Sequence, residues 1–245
     1  MNIAIISGAS SGIGYALTKE LDSLGYDELW LIASNEEKLL RVSTHIKTKS
    51  RIFAINLSKP GSLDTVSYAL KEELPNVMHL ICSAGVGYNG NFESITREMA
   101  SKMIDVNVRA LTELTTIALP YVHSGAKILQ IASSAGFMPQ PSFDVYSATK
   151  SYVISFSRAL RQELKKKKIS VTAVCPGPVD TPFFSGLENV KEYKKKYAIS
   201  PKKVAKKAIK ASKKNKALSV PTFSMKMVQL ASKIVPMSII MKFYR

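Results

Sequence analysis

Cysteine is nearly absent from this 245-residue chain, which holds only Cys82 and Cys175. Two cysteines make no disulfide framework. Each closes an apolar run, where a small reduced thiol packs like a hydrophobe in an intracellular protein. The histidines, His45, His79 and His123, are scattered, with no paired cysteine and no His-x-x-x-His spacing, so no metal site is expected and all three read as surface or edge residues. No stretch reaches the roughly 18 uninterrupted apolar residues of a membrane span. Even the apolar C-terminal stretch is broken by Lys226, Lys233 and Lys242. The opening residues lack a basic leader and their apolar run is too short for a signal peptide, so they read as a first strand. A cytoplasmic protein, soluble or peripherally membrane-associated, is expected.

Acidic residues are scarce in the last third. Net charge is +17, and Lys165 to Arg245 hold 20 basic and 3 acidic residues against 15 of each sign in residues 1–164. Such asymmetry suits an anionic surface, with membrane headgroups favoured over nucleic acid, or a solvated lysine face with no partner.

An apolar content of 46% over this length supports one domain with a substantial core. Short apolar runs at Ile3 to Ser7, Glu28 to Ala33, Arg51 to Asn56, Val77 to Cys82, Lys127 to Ala132 and Ile169 to Cys175 alternate with amphipathic stretches such as Gly12 to Leu24 and Glu36 to Ile46. This alternation predicts an α/β fold, a doubly wound parallel sheet of Rossmann type with helices on both faces. Chemistry is then expected just beyond the carboxyl ends of the strands. By composition the chain divides into a catalytic domain, 1–200, and a basic amphipathic C-terminal helical extension, 201–245, packed on or beside it. The run Lys165 to Lys168 sits where it can help end a long helix at its negative pole.

After the first strand comes Ser7-Gly8-Ala9-Ser10-Ser11-Gly12-Ile13-Gly14, leading into a helix. Glycine there permits a tight turn and close backbone approach, and the helix N-terminus offers N–H groups to a pyrophosphate; a plain tight turn is the other reading. The second strand ends in Ala33-Ser34-Asn35, with no carboxylate until Glu36. An acid there would bind the adenosine ribose of NAD and repel a 2′-phosphate, so its absence favours NADP(H), with Ser34 and Asn35 as hydrogen-bonding groups and NAD(H) still admissible. Further on, Tyr146-Ser147-Ala148-Thr149-Lys150 opens a long helix. Residues four apart share a helical face, so the Lys150 ammonium is expected to stabilise a Tyr146 phenolate and lower its pKa.

The Gly-x-x-x-Gly-x-Gly spacing resembles the loop of the short-chain dehydrogenase/reductase family, with Ser7 where that family usually has threonine. Further segments match in order over residues 3 to 181. Asn56-Leu57 stands where the family usually has an Asp-Val or Asp-Leu pair against adenine, and Cys82-Ser83-Ala84-Gly85 where it has Asn-Asn-Ala-Gly. Asn107 matches its helix asparagine, Ser133 its serine thirteen residues before the tyrosine, and Pro176-Gly177-Pro178-Val179-Asp180-Thr181 its segment beside the nicotinamide. The resemblance implies a catalytic tetrad of Asn107, Ser133, Tyr146 and Lys150. The implied cofactor contacts are Gly8, Ser10 to Gly14, Ser34, Asn56, Leu57, Ala84, Gly85, Tyr146, Lys150, Pro176, Gly177, Val179 and Thr181. It also implies hydride transfer between nicotinamide and a carbonyl or alcohol, with Tyr146 moving the proton, Ser133 polarising the substrate and Asn107 supporting a water that leads to Lys150. A homo-oligomer is implied too.

Residues 182–200 correspond to that family's variable substrate lid. Phe183 and Phe184 suit an apolar small-molecule substrate or core packing, and Gly87 to Phe92 and Phe137 to Phe143 are expected as further cleft walls. Pro201 to Lys214 reads as a basic amphipathic helix, Ala217 to Val220 as a short strand, and Thr222 to Arg245 as an apolar, lysine-punctuated segment able to lie on a membrane, cover the cleft or meet a second subunit. Two other functions stay open: an epimerase or dehydratase that holds NAD tightly, and a non-catalytic protein that senses NADP or binds an anionic surface.

Overall fold

The computed structural model describes residues 1–185, 187 and 197–242. Its framework is seven parallel strands, β1 (Asn2–Ser7), β2 (Glu28–Ala33), β3 (Ser50–Ala54), β4 (Asn76–Cys82), β5 (Lys127–Ile131), β6 (Ser170–Val174) and β7 (Leu218–Ser219), in the order β3-β2-β1-β4-β5-β6-β7. The expected doubly wound parallel sheet is therefore present. Strand order reverses between β1 and β4, which opens a crevice past Ser7 and Cys82.

The strands are apolar along their whole length because both faces are covered. One face carries α1 (Gly12–Leu21), α2 (Glu36–Thr44) and α8 (Pro201–Lys213), whose Leu17, Leu21, Leu39, Val42, Val204 and Ile209 pack on Ile6, Leu31, Ile81 and Leu129. The other carries α3 (Asp64–Glu73), α5 (Ala110–Ala118) and α6 (Asp144–Leu164), packing Leu70, Leu111, Leu114, Val153 and Leu160 on Ile5, Trp30, Leu80, Ile128 and Val171. Sequence signals set the helix starts. Asn35 Oδ1 accepts from the Lys38 N–H at 2.8 Å at the head of α2, and Ser200 caps α8 with Pro201 in its first turn. α6 ends at Leu164, and Lys165 to Lys168 make the turn into β6, with Lys168 in the left-handed region at φ +57°.

The packing does not divide at residue 200. Helix α8 is amphipathic as expected, but its apolar side, Val204, Ala205, Ala208 and Ile209, is spent against α1 and the sheet, and β7 extends the sheet itself. What stands outside this framework is a pair of helices, α9 (Phe223–Ile234) and α10 (Met237–Lys242), in which no residue is buried. A second departure is His79, which is not a surface residue. It lies on β4, 6% exposed, with Nδ1 bonded to the Tyr26 hydroxyl. Among the described residues no helix is long and apolar enough to cross a membrane.

Candidate active site

The glycine loop connects β1 to α1. Gly8 turns at φ +69°, and a Cβ there would meet the Ala84 backbone at 2.8 Å; a Cβ on Gly14 would stand 2.0 Å from the Gly8 carbonyl oxygen. Both positions therefore require glycine, one for its backbone and both for space. Ser11, at the N-cap of α1, makes no side-chain cap, and the first turn holds no acid. The Ser7 hydroxyl accepts from the N–H groups of Ser83 at 3.1 Å and Ala84 at 3.2 Å, tying the ends of β1 and β4 together across the switch point. The hydroxyl that Ser7 shares with threonine was the signal for this role.

Beyond β4, the chain is held by Asn107. Its Oδ1 accepts from the Val86 N–H at 2.9 Å, and its Nδ2 donates to the Val86 carbonyl at 2.9 Å and to Thr149 Oγ1 at 3.1 Å. Asn107 sits in a π-helical turn, Asp105–Arg109, between α4 (Arg97–Ile104) and α5. Such a turn widens the helix and re-aims the side chains it carries. Arg109, in the same turn, pairs with Asp105 and Glu113 and donates to the Leu57 carbonyl at 3.1 Å, joining this helix to the loop after β3. Its charge pattern, with an acid four residues before and four after, was legible without being singled out.

Ser133 and Tyr146 come together beyond the end of β5, on the wall of one cavity. Ser133 Oγ accepts from the Ala135 N–H at 3.1 Å, which fixes the turn leading to α6. The Phe143 ring stacks on Tyr146 at 4.2 Å between centroids, and Phe183 lies at 5.6 Å on the tilt. Lys150 reaches the same place from one turn further along α6. Its Nζ donates to the Ile131 carbonyl at 2.9 Å, lies 5.6 Å from the Tyr146 ring centre, and stands 3.4 Å from where a Gly85 Cβ would be.

Electrostatics here differ from the sequence expectation. Burial pushes the Tyr146 phenol up to about 12, opposed only by the Ser133 hydrogen bond, and the same burial brings Lys150 down to about 8. The ammonium is turned onto a strand carbonyl, and both side chains are buried, so desolvation outweighs any lysine stabilisation of the phenolate.

The residues singled out from the sequence converge. Gly8, Ser10 to Gly14, Ser34, Asn56, Leu57, Ala84, Gly85, Ser133, Tyr146, Lys150, Pro176, Gly177, Val179 and Thr181 all border one cavity of about 1510 Å³. Asn107 does not border it: fully buried, it stands behind Val86 and Gly85. Asn35 is also off the cavity, occupied as the cap of α2, and Asn56 Oδ1 is engaged by the N–H and hydroxyl of Ser58. Of the expected walls, Met138, Gln140 to Phe143 and Asn89 line the space, while Phe137 packs against the core and Phe92 is exposed. The expected lid at 182–200 falls largely outside the described residues; of it Pro182, Phe183, Leu187 and Tyr197 line the cavity. Met225, Val228, Ala231, Val235 and Ile240, from α9 onward, form a wall that the sequence left as one of three options.

The cavity is larger than the roughly 300–1,000 Å³ of an ordinary small-ligand site, with room for a dinucleotide and a second molecule. The N-terminus of α1, which its N-cap side chain leaves uncapped, and the glycine-only backbone beside Ala84 suit a pyrophosphate lying across the switch point. A model of the short chain dehydrogenase family matches residues 2–192. The chain belongs to the short-chain dehydrogenase/reductase family. Its relatives in that family include an uncharacterized oxidoreductase of Staphylococcus epidermidis, 29% identical over 188 residues that cover 76% of this chain and 81% of that one. They also include the very-long-chain 3-oxoacyl-CoA reductase of Mus musculus, 32% identical over 186 residues, 73% of this chain and 59% of that longer protein. Among solved structures, a short-chain dehydrogenase from Sphingobium yanoikuyae in complex with NADPH shares the fold at a TM-score of 0.82, with 24% identity over 100% of this chain and 97% of that one. The 3-ketoacyl-(acyl-carrier-protein) reductase from Brucella melitensis complexed with NADH has a TM-score of 0.78, 25% identity, and coverage of 89% and 94%. This short-chain dehydrogenase/reductase is thus an oxidoreductase that acts on CH–OH or C=O groups with a nicotinamide cofactor.

Proposed function

We propose that the enzyme reduces a ketone or aldehyde on an apolar substrate, preferring NADPH to NADH. The observation that carries this reading is the meeting of Tyr146, Ser133 and Lys150 on the same cavity as the glycine loop. The nicotinamide cofactor, when bound, supplies the hydride in reduction and accepts it in oxidation. The Tyr146 hydroxyl gives its proton to the substrate oxygen, and the Ser133 hydroxyl donates a hydrogen bond to the same oxygen as charge develops there. A phenol held protonated by burial is suited to the donor's part. Lys150 binds the ribose hydroxyls beside the nicotinamide. Asn107 holds the Val86 backbone in the position that Gly85 needs to approach the cofactor.

The preference for NADPH rests on the end of β2. Ser34 borders the cavity there, while Glu36 and Glu37 lie in the first turn of α2 and do not. A hydroxyl admits a 2′-phosphate that a carboxylate would repel. The apolar substrate rests on Met138, Phe143, Phe183, Val228 and Val235 along the cavity wall. Because a mouse relative is a 3-oxoacyl-CoA reductase, 3-oxoacyl thioesters head the candidate substrates. A cytoplasmic location, a homo-oligomer and a peripheral contact of the C-terminal segment with a membrane belong to the same reading. Ile104 and Tyr152, exposed on α4 and α6, offer apolar surface to a second copy.

The test is NADPH and NADH oxidation, followed by absorbance, against ketones, aldehydes and 3-oxoacyl thioesters, with Tyr146→Phe as the paired control. Turnover with NADPH that falls about 10³-fold in the variant, cofactor binding unchanged, supports the reading. Tight cofactor binding by both proteins with no carbonyl turned over would overturn it.

A further inference from the structure

Helix α9 has two apolar sides, and the protein uses one. Met225, Val228 and Ala231 turn inward to the catalytic cavity, with Met225 packed over Gly177 of the segment after β6. On the opposite side stand Phe223, Met227, Leu230 and Ile234, spaced four, three and four apart, which aligns them along one line of a helix. Phe223 and Ile234 are 77% and 70% exposed, Met227 and Leu230 about half, and Met237 and Ile239 continue the exposed row onto α10. Single exposed hydrophobics are ordinary; a contiguous row on a helix that walls a catalytic cavity marks a contact.

Charge says what covers it. Lys226, Lys233 and Lys242 are exposed along the row, and from Tyr193 to Arg245 the sequence has 15 basic residues and no acid. A second copy laid on this face would set lysine against lysine with no carboxylate in the segment to answer. A nucleic acid would answer the lysines and leave the apolar row in water. An anionic lipid surface satisfies both: the row enters the headgroup and acyl boundary while the lysine stems lie along it and their ammonium groups reach the phosphates. Helix α8, though richer in lysine, is not the anchor, because its apolar side is already buried on the sheet.

We propose that α9 and α10 form an interfacial anchor that lies on an anionic bilayer, so that the wall of the catalytic cavity is the membrane-bound helix itself and apolar substrate enters from the lipid. The first half deepens the membrane contact proposed above, and the second rests on the reading of the cavity as a site for an apolar carbonyl compound. The experiment is co-sedimentation of the full chain with vesicles of phosphatidylcholine alone and of phosphatidylcholine with phosphatidylglycerol. It uses wild type and the double variant Leu230→Gln/Ile234→Gln, each checked for folding and NADPH binding. Binding to the anionic vesicles only, weakened about tenfold in the double variant while turnover of a water-soluble carbonyl is unchanged, supports the anchor. Equal vesicle binding by both proteins, lost only with Lys226→Gln/Lys233→Gln and competed by duplex DNA, would make this a polyelectrolyte surface and overturn it. So would a wild type that ignores the vesicles and a double variant that changes oligomeric state. Vesicle binding without turnover of any carbonyl would sink the substrate reading and leave the anchor standing.

Discussion

The carboxamide of Asn107 grips both backbone groups of Val86, accepting from its N–H and donating to its carbonyl at 2.9 Å each. That pairing fixes the residue after Gly85, the one small residue between the Asn107 carboxamide and the Lys150 ammonium. In Asn107→Ala two part-buried backbone groups lose their partner, which costs about 1 kcal/mol of stability. Asn107→Asp keeps an acceptor for the N–H but turns a carboxylate oxygen onto the Val86 carbonyl. Both variants are expected to bind NADPH more weakly and to turn over more slowly, with the aspartate no better than the alanine. Thermal unfolding together with cofactor titration checks this; an aspartate variant with wild-type cofactor affinity would show that the paired grip is not what orders the loop.

Lys150 makes the stability of the protein depend on pH in the alkaline range. Its folded pKa of about 8 lies below the usual 10.5, so between those values the unfolded chain holds a proton that the folded one has released. Lys150 therefore raises stability with pH from about 8, until above pH 9 the buried Cys82 and Cys175 thiols, both pushed up to about 12, pull the other way. Tyr146 acts in the opposite sense at higher pH. Its folded pKa of about 12 lies above 10, so beyond pH 10 the unfolded chain gives up its proton first and stability falls again. Denaturant unfolding should show a rise between about pH 8 and 9 that Lys150→Met abolishes, since methionine has no proton to lose.

Why the expected lysine effect on Tyr146 failed while the placement of both residues succeeded is a matter of which information is local. Spacing along α6 is local: four residues set Tyr146 and Lys150 on one face, and strand ends follow from apolar runs such as Lys127–Ile131. The pKa of a buried phenol depends on everything around it, here Phe143, Phe183 and a lysine turned onto Ile131, none of which spacing specifies. The same distinction explains the tail. The lysine pattern of α8 is legible as an amphipathic helix, but that its apolar side meets α1 is a long-range fact, and the sequence could not tell α8, whose apolar side is covered, from α9, whose outer side is not.

Ser34 is expected to decide between the two nicotinamide cofactors. It borders the cavity at the end of β2, where the hydroxyl leaves room for a 2′-phosphate. Ser34→Asp puts a carboxylate at that place, which repels the phosphate and accepts from ribose hydroxyls. The ratio of kcat/KM for NADPH to that for NADH should fall about 10²-fold, with the loss of NADPH affinity the larger part. A ratio unmoved by this substitution would place the adenosine end of the cofactor elsewhere.

His79 makes acid the other limit of stability. Its ring is buried on β4 with Nδ1 held by the Tyr26 hydroxyl, Nε2 without a partner among the described residues, and Lys127 and Lys213 adding positive charge nearby. Burial first and the lysines second bring its pKa from 6.5 down to about 4. Below pH 6.5 the unfolded chain takes up a proton that the folded one refuses, so stability falls as pH drops toward 4, by about 3 kcal/mol in all. Replacing His79 with asparagine, which keeps a hydrogen bond for Tyr26 but does not titrate, should cost stability at neutral pH and flatten the decline between pH 6.5 and 4. If the variant declines as steeply as wild type over that interval, the acid sensitivity belongs to groups other than His79.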